Sequence, residues 1–199
     1  MPQPVRLATI SGDNCMNETL NAANVTIVAG GTLKEVRVTK NVTTGGTYAA
    51  NDVISEVTTD SGNTPWTFSD VVTQNGGYGY IVGALAVSET PAITPALTLL
   101  LFNATPTGEL DDNAGNDNPI DADLALFLGA IDFPALGNVG TTSNSWAVAS
   151  PSTYGNLPLP FKCAAAANDL LGVLVTRTIF TQVATDDMTI VLLVEEYNA

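Results

Sequence analysis

The sequence predicts an all-β fold: an antiparallel β-sandwich, jelly-roll-like, with one short helix near residues 121–128. Three observations carry this expectation. Apolar residues make up 45% of the 199 residues, enough for a substantial core. Charged residues are only 13%, about half the usual share, so Thr, Asn, Ser and Gly must supply the polar surface. Apolar runs of strand length recur every ten to twenty residues, with Gly, Asn and Pro turns between them.

Taken in order, the elements read as follows. Residues 1–24 form an extended N-terminal arm and a first strand at 5–10, with Pro2 and Pro4 disfavouring helix. Residues 25–199 read as one β-sandwich domain, because no linker interrupts the turn punctuation. Runs 25–29 and 33–38 flank Gly30-Gly31 and predict a hairpin, the second run alternating polar and apolar. Strands follow at 48–57 and 65–72. Asn75-Gly76-Gly77 is a turn, after which 78–88 and 96–103 are near-continuously apolar. Such strands are covered on both faces, one by the core and the other by a neighbouring subunit.

Asp121 stands where it can cap a helix and Gly129 where it can end one, which places the helix at 121–128. Residues 131–144 read as irregular. Strands 145–149 and 161–163 follow, the latter at an edge. The runs 170–181 and 188–195 predict a closing hairpin around Thr185-Asp186-Asp187.

The chain contains no histidine, which removes Ser-His-Asp and Cys-His catalysis and His-containing zinc sites. No phosphate-cradling glycine motif is present. Lys34, Lys40 and Lys162 are the lysines available for a Schiff base, and nothing in their surroundings marks a desolvated pocket. Asp111, Asp112, Asp117, Asp121 and Asp123 are the densest acidic cluster. They invite comparison with a two-carboxylate glycosidase and with a calcium loop. Gly115 stands where a third calcium ligand belongs, so the segment reads as a turn-rich loop. Trp66, Trp146, Tyr78, Tyr80 and Tyr154 are the aromatics from which a carbohydrate platform could be assembled. Cys15 and Cys163 read as buried free thiols. The sequence therefore assigns no catalytic, cofactor-binding or metal-binding residue.

The net charge of −14 repels nucleic acid and anionic membranes and suits solubility or docking on a basic partner. No apolar run reaches the ~18 residues of a membrane helix. The opening residues lack the pattern of a signal peptide, so the expectation is synthesis and folding in the cytosol.

From Leu99-Leu100-Leu101-Phe102-Asn103-Ala104-Thr105-Pro106, through Asp112-Asn113-Ala114 and Asp121-Ala122-Asp123, to Phe127-Leu128-Gly129, the chain resembles a family of small tailed-bacteriophage structural proteins encoded near the major capsid protein. The strand at 170–181 and the terminal one at 188–194 fit as well, and the resemblance spans roughly residues 48–197. Its motifs are structural, so no site residue carries over. The resemblance implies a capsid decoration (cement) protein. It would be a homotrimer or dimer on the outer surface of the virion, assembled in the host cytoplasm, with the major capsid protein as partner. A tail or head–tail connector protein and a carbohydrate-binding (receptor-binding) module are the alternatives. Rings or tubes in solution mark the first, and retention of a soluble oligosaccharide the second.

Overall fold

A computed structural model describes residues 31–42, 46–56, 64–151, 156–183 and 185–197. The expected strands at 5–10 and 25–29 lie outside the described residues, as does Cys15. Twelve strands are described: β1 (Thr32–Asn41), β2 (Gly46–Tyr48), β3 (Val53–Ile54), β4 (Trp66–Phe68), β5 (Tyr78–Pro91), β6 (Leu97–Phe102), β7 (Phe127–Phe133), β8 (Asn144–Ala149), β9 (Leu159–Lys162), β10 (Leu170–Thr176), β11 (Phe180–Gln182) and β12 (Asp187–Tyr197).

The strands form two five-stranded antiparallel sheets and a small β11–β2 ribbon. The first sheet runs β1-β12-β5-β8, with β9 continuing beyond β8 on the same edge of β5. The second runs β3-β10-β6-β7, with β4 beside β3 on β10. If β3/β4 and β8/β9 each count as one position, the chain visits the sheets in jelly-roll order. The expected antiparallel jelly-roll sandwich is the fold observed.

Alternation along the strands builds the core. On β12, Met188, Ile190, Leu192 and Val194 point inward, and on β6 Leu97, Leu99 and Leu101 do the same. Trp66, Phe68 and Phe133 close the space between the sheets. On β1 the inward positions include Lys34 and Lys40. Lys34 donates to the Asp70 carbonyl, and Lys40 to Glu56 Oε1 at 2.9 Å and the Thr64 carbonyl at 2.7 Å. Among the described strands β1 is an edge, and inward charges of this kind guard such a strand against stray pairing.

Several expectations need correction. The helix at 121–128 is a single 3-10 turn, Asp121–Asp123, and Phe127 already begins β7. Asp121 caps nothing. Asp123 is instead 1% exposed, and its carboxylate accepts from Thr107 N (2.8 Å), Thr107 Oγ1 (2.9 Å) and Gly108 N (3.2 Å). Gly129 does not end a helix. It lies within β7 at φ +142°, where a Cβ would meet Leu159 Cδ1 at 2.8 Å. The pairing of β6 with β7 shifts register there, so Gly129 serves a bulge. Strand β7 also occupies part of the stretch expected to be irregular.

The closing hairpin is also absent. The run 170–181 divides into β10 and β11, and β12 pairs with β1 and β5. The run 48–57 likewise divides, with β2 pairing β11 and β3 pairing β10. Short-range reading joined neighbours in sequence, whereas the jelly roll pairs strands distant in sequence. The observed strand at 65–72 is only Trp66–Phe68.

Asp123→Ala leaves three donors without their carboxylate, two of them backbone N–H groups. A loss of about 2–4 kcal/mol is expected in urea unfolding. A loss under about 0.5 kcal/mol, the scale of an ordinary surface change, contradicts the clamp role.

Candidate functional site

The two sheets differ in what lies outside them. The outer side of the second sheet is a second apolar cluster, built on Val53, Leu100, Phe102, Val173 and Val175. The chain covers it with its own β6–β7 connection, through Leu110 and Leu126. Strand β6 is therefore buried at every residue.

The acidic cluster holds this cover in place. Asp112 is 5% exposed and accepts from Tyr48 Oη at 2.9 Å and Ser55 N at 2.8 Å. Backbone bonds between Val53 and Asn113-Ala114 fasten the same loop to β3. Asp123 clamps residues 107–108 as above, and Asp117 accepts from Glu109 N at 2.6 Å. Asp121 is exposed. The carboxylates of Asp112, Asp117 and Asp123 are thus engaged by protein donors, each on a different segment. Among the described residues no group of three or more His, Cys, Asp or Glu converges as a metal cradle.

The outer side of the first sheet carries no such cover among the described residues. Outward on β5 lie Gly83, Leu85 and Val87; on β12, Val191 and Leu193; on β8, Trp146 and Val148. Trp146 is 44% exposed, Val148 49% and Leu193 36%. A bulge decides which residues of β5 join this stripe. Leu193 pairs with Gly83 and Val194 with Ile81, which leaves Val82 as the extra residue and flips the parity of β5. Tyr78 and Tyr80 therefore share the outward face with Leu85 and Val87.

At the centre the missing side chain of Gly83 leaves a shallow, open depression of about 240 Å³, lined by Leu85, Val148, Val191, Leu193 and Glu35. A Cβ at Gly83 would find Leu193 no nearer than 3.4 Å, so the backbone there tolerates a side chain. Charge is sparse: Glu35 pairs with Arg37 at 3.0 Å, and Glu195 accepts from Tyr197 Oη at 2.9 Å. That hydrogen bond, with Glu195's charge, raises the Tyr197 phenol above its ordinary value.

This architecture is similar to a chain of a phage capsid. The match is to the capsid of Ralstonia phage GP4, at 14% identity over 86% of this chain and 89% of that one, with a TM-score of 0.41. No family model and no curated protein matches the chain.

The expected aromatics separate. Trp66 is core, its Nε1 donating to the Ile54 carbonyl at 2.9 Å and its ring 5.8 Å from the Lys40 ammonium. Tyr154 lies outside the described residues. Tyr78 and Tyr80 meet Tyr197 in stacked and edge-on contacts at 6.4 and 5.9 Å, towards one end of the open face. Trp146 stands towards the other end. Sequence reading missed Tyr197, Gly83 and Leu193, although the unbroken apolar character of β5 and β12 was their signal. A polar depression of about 240 Å³ on the second sheet offers Asn51, Asn116, Asn118 and Arg177, but no aromatic ring for a sugar to stack on.

Of the lysines, Lys40 is buried. Burial lowers its pKa while its hydrogen bond and charge contact with Glu56 oppose the shift. Burial acts to raise Glu56, and the hydrogen bonds from Lys40 and Thr64 outweigh it and hold the carboxyl below its ordinary range. Cys163 is buried, and its thiol is pushed up to about 11 by burial and then by the charges of Asp169 and Glu196. Iodoacetamide at pH 8 is therefore expected to leave Cys163 unlabelled in the native protein and to label it after denaturation, read by peptide mass mapping. Rapid native labelling of Cys163 contradicts its burial.

Proposed function

We propose that this chain is a virion structural protein, a decoration (cement) protein that binds the outer surface of a phage head and stabilises it. The observation that carries the reading is the contrast between the faces. An acidic sandwich seals one outer apolar face with its own loop and leaves the other, apolar at its centre and uncovered among the described residues, for cover by assembly. The resemblance at residues 99–129 supports it, because those residues build β6, the clamped loop and β7. The jelly roll supports it as a topology that serves viral capsid and lectin domains alike.

The partner in this reading is the major capsid protein, met as a small closed homo-oligomer, a trimer or dimer. Such an oligomer engages several capsomers at once, so each contact can be modest while effective concentration makes the whole tight. The net charge of −14 favours basic ground on the shell and makes binding weaken as salt rises. The role requires no catalysis.

The test is co-sedimentation of the purified chain with intact shells of a tailed phage that encodes it. Saturable pelleting that declines with ionic strength is expected. A chain that stays in the supernatant at every ratio tested sinks the decoration reading.

A further inference from the structure

Where β12, β5 and β9 run side by side, register sets six side chains on one outward grid. Tyr197 lies opposite Tyr78, and Tyr78 opposite Lys162. Glu195 lies opposite Tyr80, and Tyr80 opposite Pro160. The residues between them, Glu196, Gly79 and Phe161, are buried, so the six project from the same side. Three strands at ~4.8 Å and two steps of ~3.3 Å make the grid roughly 10 by 7 Å.

Its chemistry differs from that of the aliphatic centre of the face. Tyr78 is 42% exposed and Tyr80 41%. The Tyr197 ring lies at 9° to that of Tyr78 and at 82° to that of Tyr80, so aromatic faces look in two directions. The hydrogen bond from Tyr197 Oη to Glu195 Oε1 fixes the arrangement. The hydroxyls of Tyr78 and Tyr80, the Lys162 ammonium and the second Glu195 oxygen have no hydrogen-bonding or ionic partner among the described residues.

The rings are therefore flanked by both kinds of polar group. An ammonium donates, a carboxylate accepts, and a phenol does either. A wholly apolar partner would leave all of them unpaired. A sugar ring matches them, with an apolar C–H face for an aromatic ring and a rim of hydroxyls that donate and accept. The charges of Lys162 and Glu195 offset each other, so the grid is locally neutral. The rest of the molecule, at a net charge of −14, repels acidic ligands. Tyrosine also gives a large, rigid contact area at little cost in side-chain entropy.

We propose that Tyr78, Tyr80 and Tyr197 form a stacking platform for a neutral glycan, with Lys162 and Glu195 hydrogen-bonding its hydroxyls. The grid has room for one or two sugar rings. Trp146, towards the other end of the face, takes no part. The inference does not rest on the decoration reading, since it concerns this end of the sheet alone.

The experiment probes an array of neutral and acidic oligosaccharides with the purified full chain, followed by calorimetric titration with the best-retained one. Retention of neutral glycans above acidic ones is expected. Tyr78→Ala and Tyr80→Ala each remove a ring and are each expected to weaken binding about tenfold or more. Tyr78→Phe keeps the ring and is expected to lose less than Tyr78→Ala. Lys162→Ala is expected to weaken binding about threefold or more. Trp146→Ala is expected to leave it unchanged. All these positions face outward, and circular dichroism checks that each variant folds. An array that retains no glycan, or a preference for acidic ones, overturns the proposal. So does binding that survives both Tyr78→Ala and Tyr80→Ala, or that is lost with Trp146→Ala. A chain that binds glycan and ignores shells keeps this inference and sinks decoration. A chain that pellets with shells and retains no glycan does the reverse.

Discussion

The burial of β6 on both sides is the constraint from which much of the rest follows. Five of its six residues are apolar and the sixth, Thr98, is buried and donates to Asp132, so no side faces water and the second sheet needs a cover beyond the sandwich core. The chain supplies it as the long β6–β7 connection, and a loop over apolar surface must have its polar groups satisfied. Asp112 and Asp123 do this from within. Each is a buried carboxylate surrounded by backbone N–H and hydroxyl donors, so its charge is stabilised by hydrogen bonds instead of by water. An acidic cluster that suggests metal or sugar chemistry in the sequence is, in the fold, the fastening of a lid.

The first sheet shows the opposite solution. Its outward side is apolar along β5, β8 and β12, and the described chain provides no loop for it. Exposed apolar surface on this scale needs cover from somewhere. The bulge at Val82 matters here because it is a local irregularity with a long reach. Without the parity flip, Tyr78 and Tyr80 would point into the core and Ile81 would face outward. The same bulge sets the tyrosine cluster beside the depression and gives the face two distinguishable ends.

Much of the sandwich was legible in the residues. The strands β1, β5, β6, β8 and β12 follow from alternation and apolar run length, and the two-sided cover of β6 follows from its near-continuous apolar character, although the outer cover is the chain's own loop and not the neighbouring subunit expected. The misreadings share one cause. The helix at 121–128 rested on Asp121 and Gly129, which have the right residue types for its two ends. Tertiary contacts used Asp123 and Gly129 for a clamp and a bulge, and Leu126 and Phe127 gained more by packing on the second sheet than by a short helix. The expected hairpin between 170–181 and 188–195 failed because its two strands belong to different sheets.

The sequence by itself determined the fold class, the absence of histidine chemistry, the acidic surface and the strand cores, because these depend on composition and on patterns a few residues long. Only the tertiary structure decided which apolar face is covered. That depends on where β5, β8 and β12 come together and on which loop crosses which sheet. Trp146, Gly83 and Leu193 are separated in the sequence by as many as 110 residues, and only sheet pairing makes them neighbours. Side chains from distant strands form a site by register, and register is a property of the folded chain.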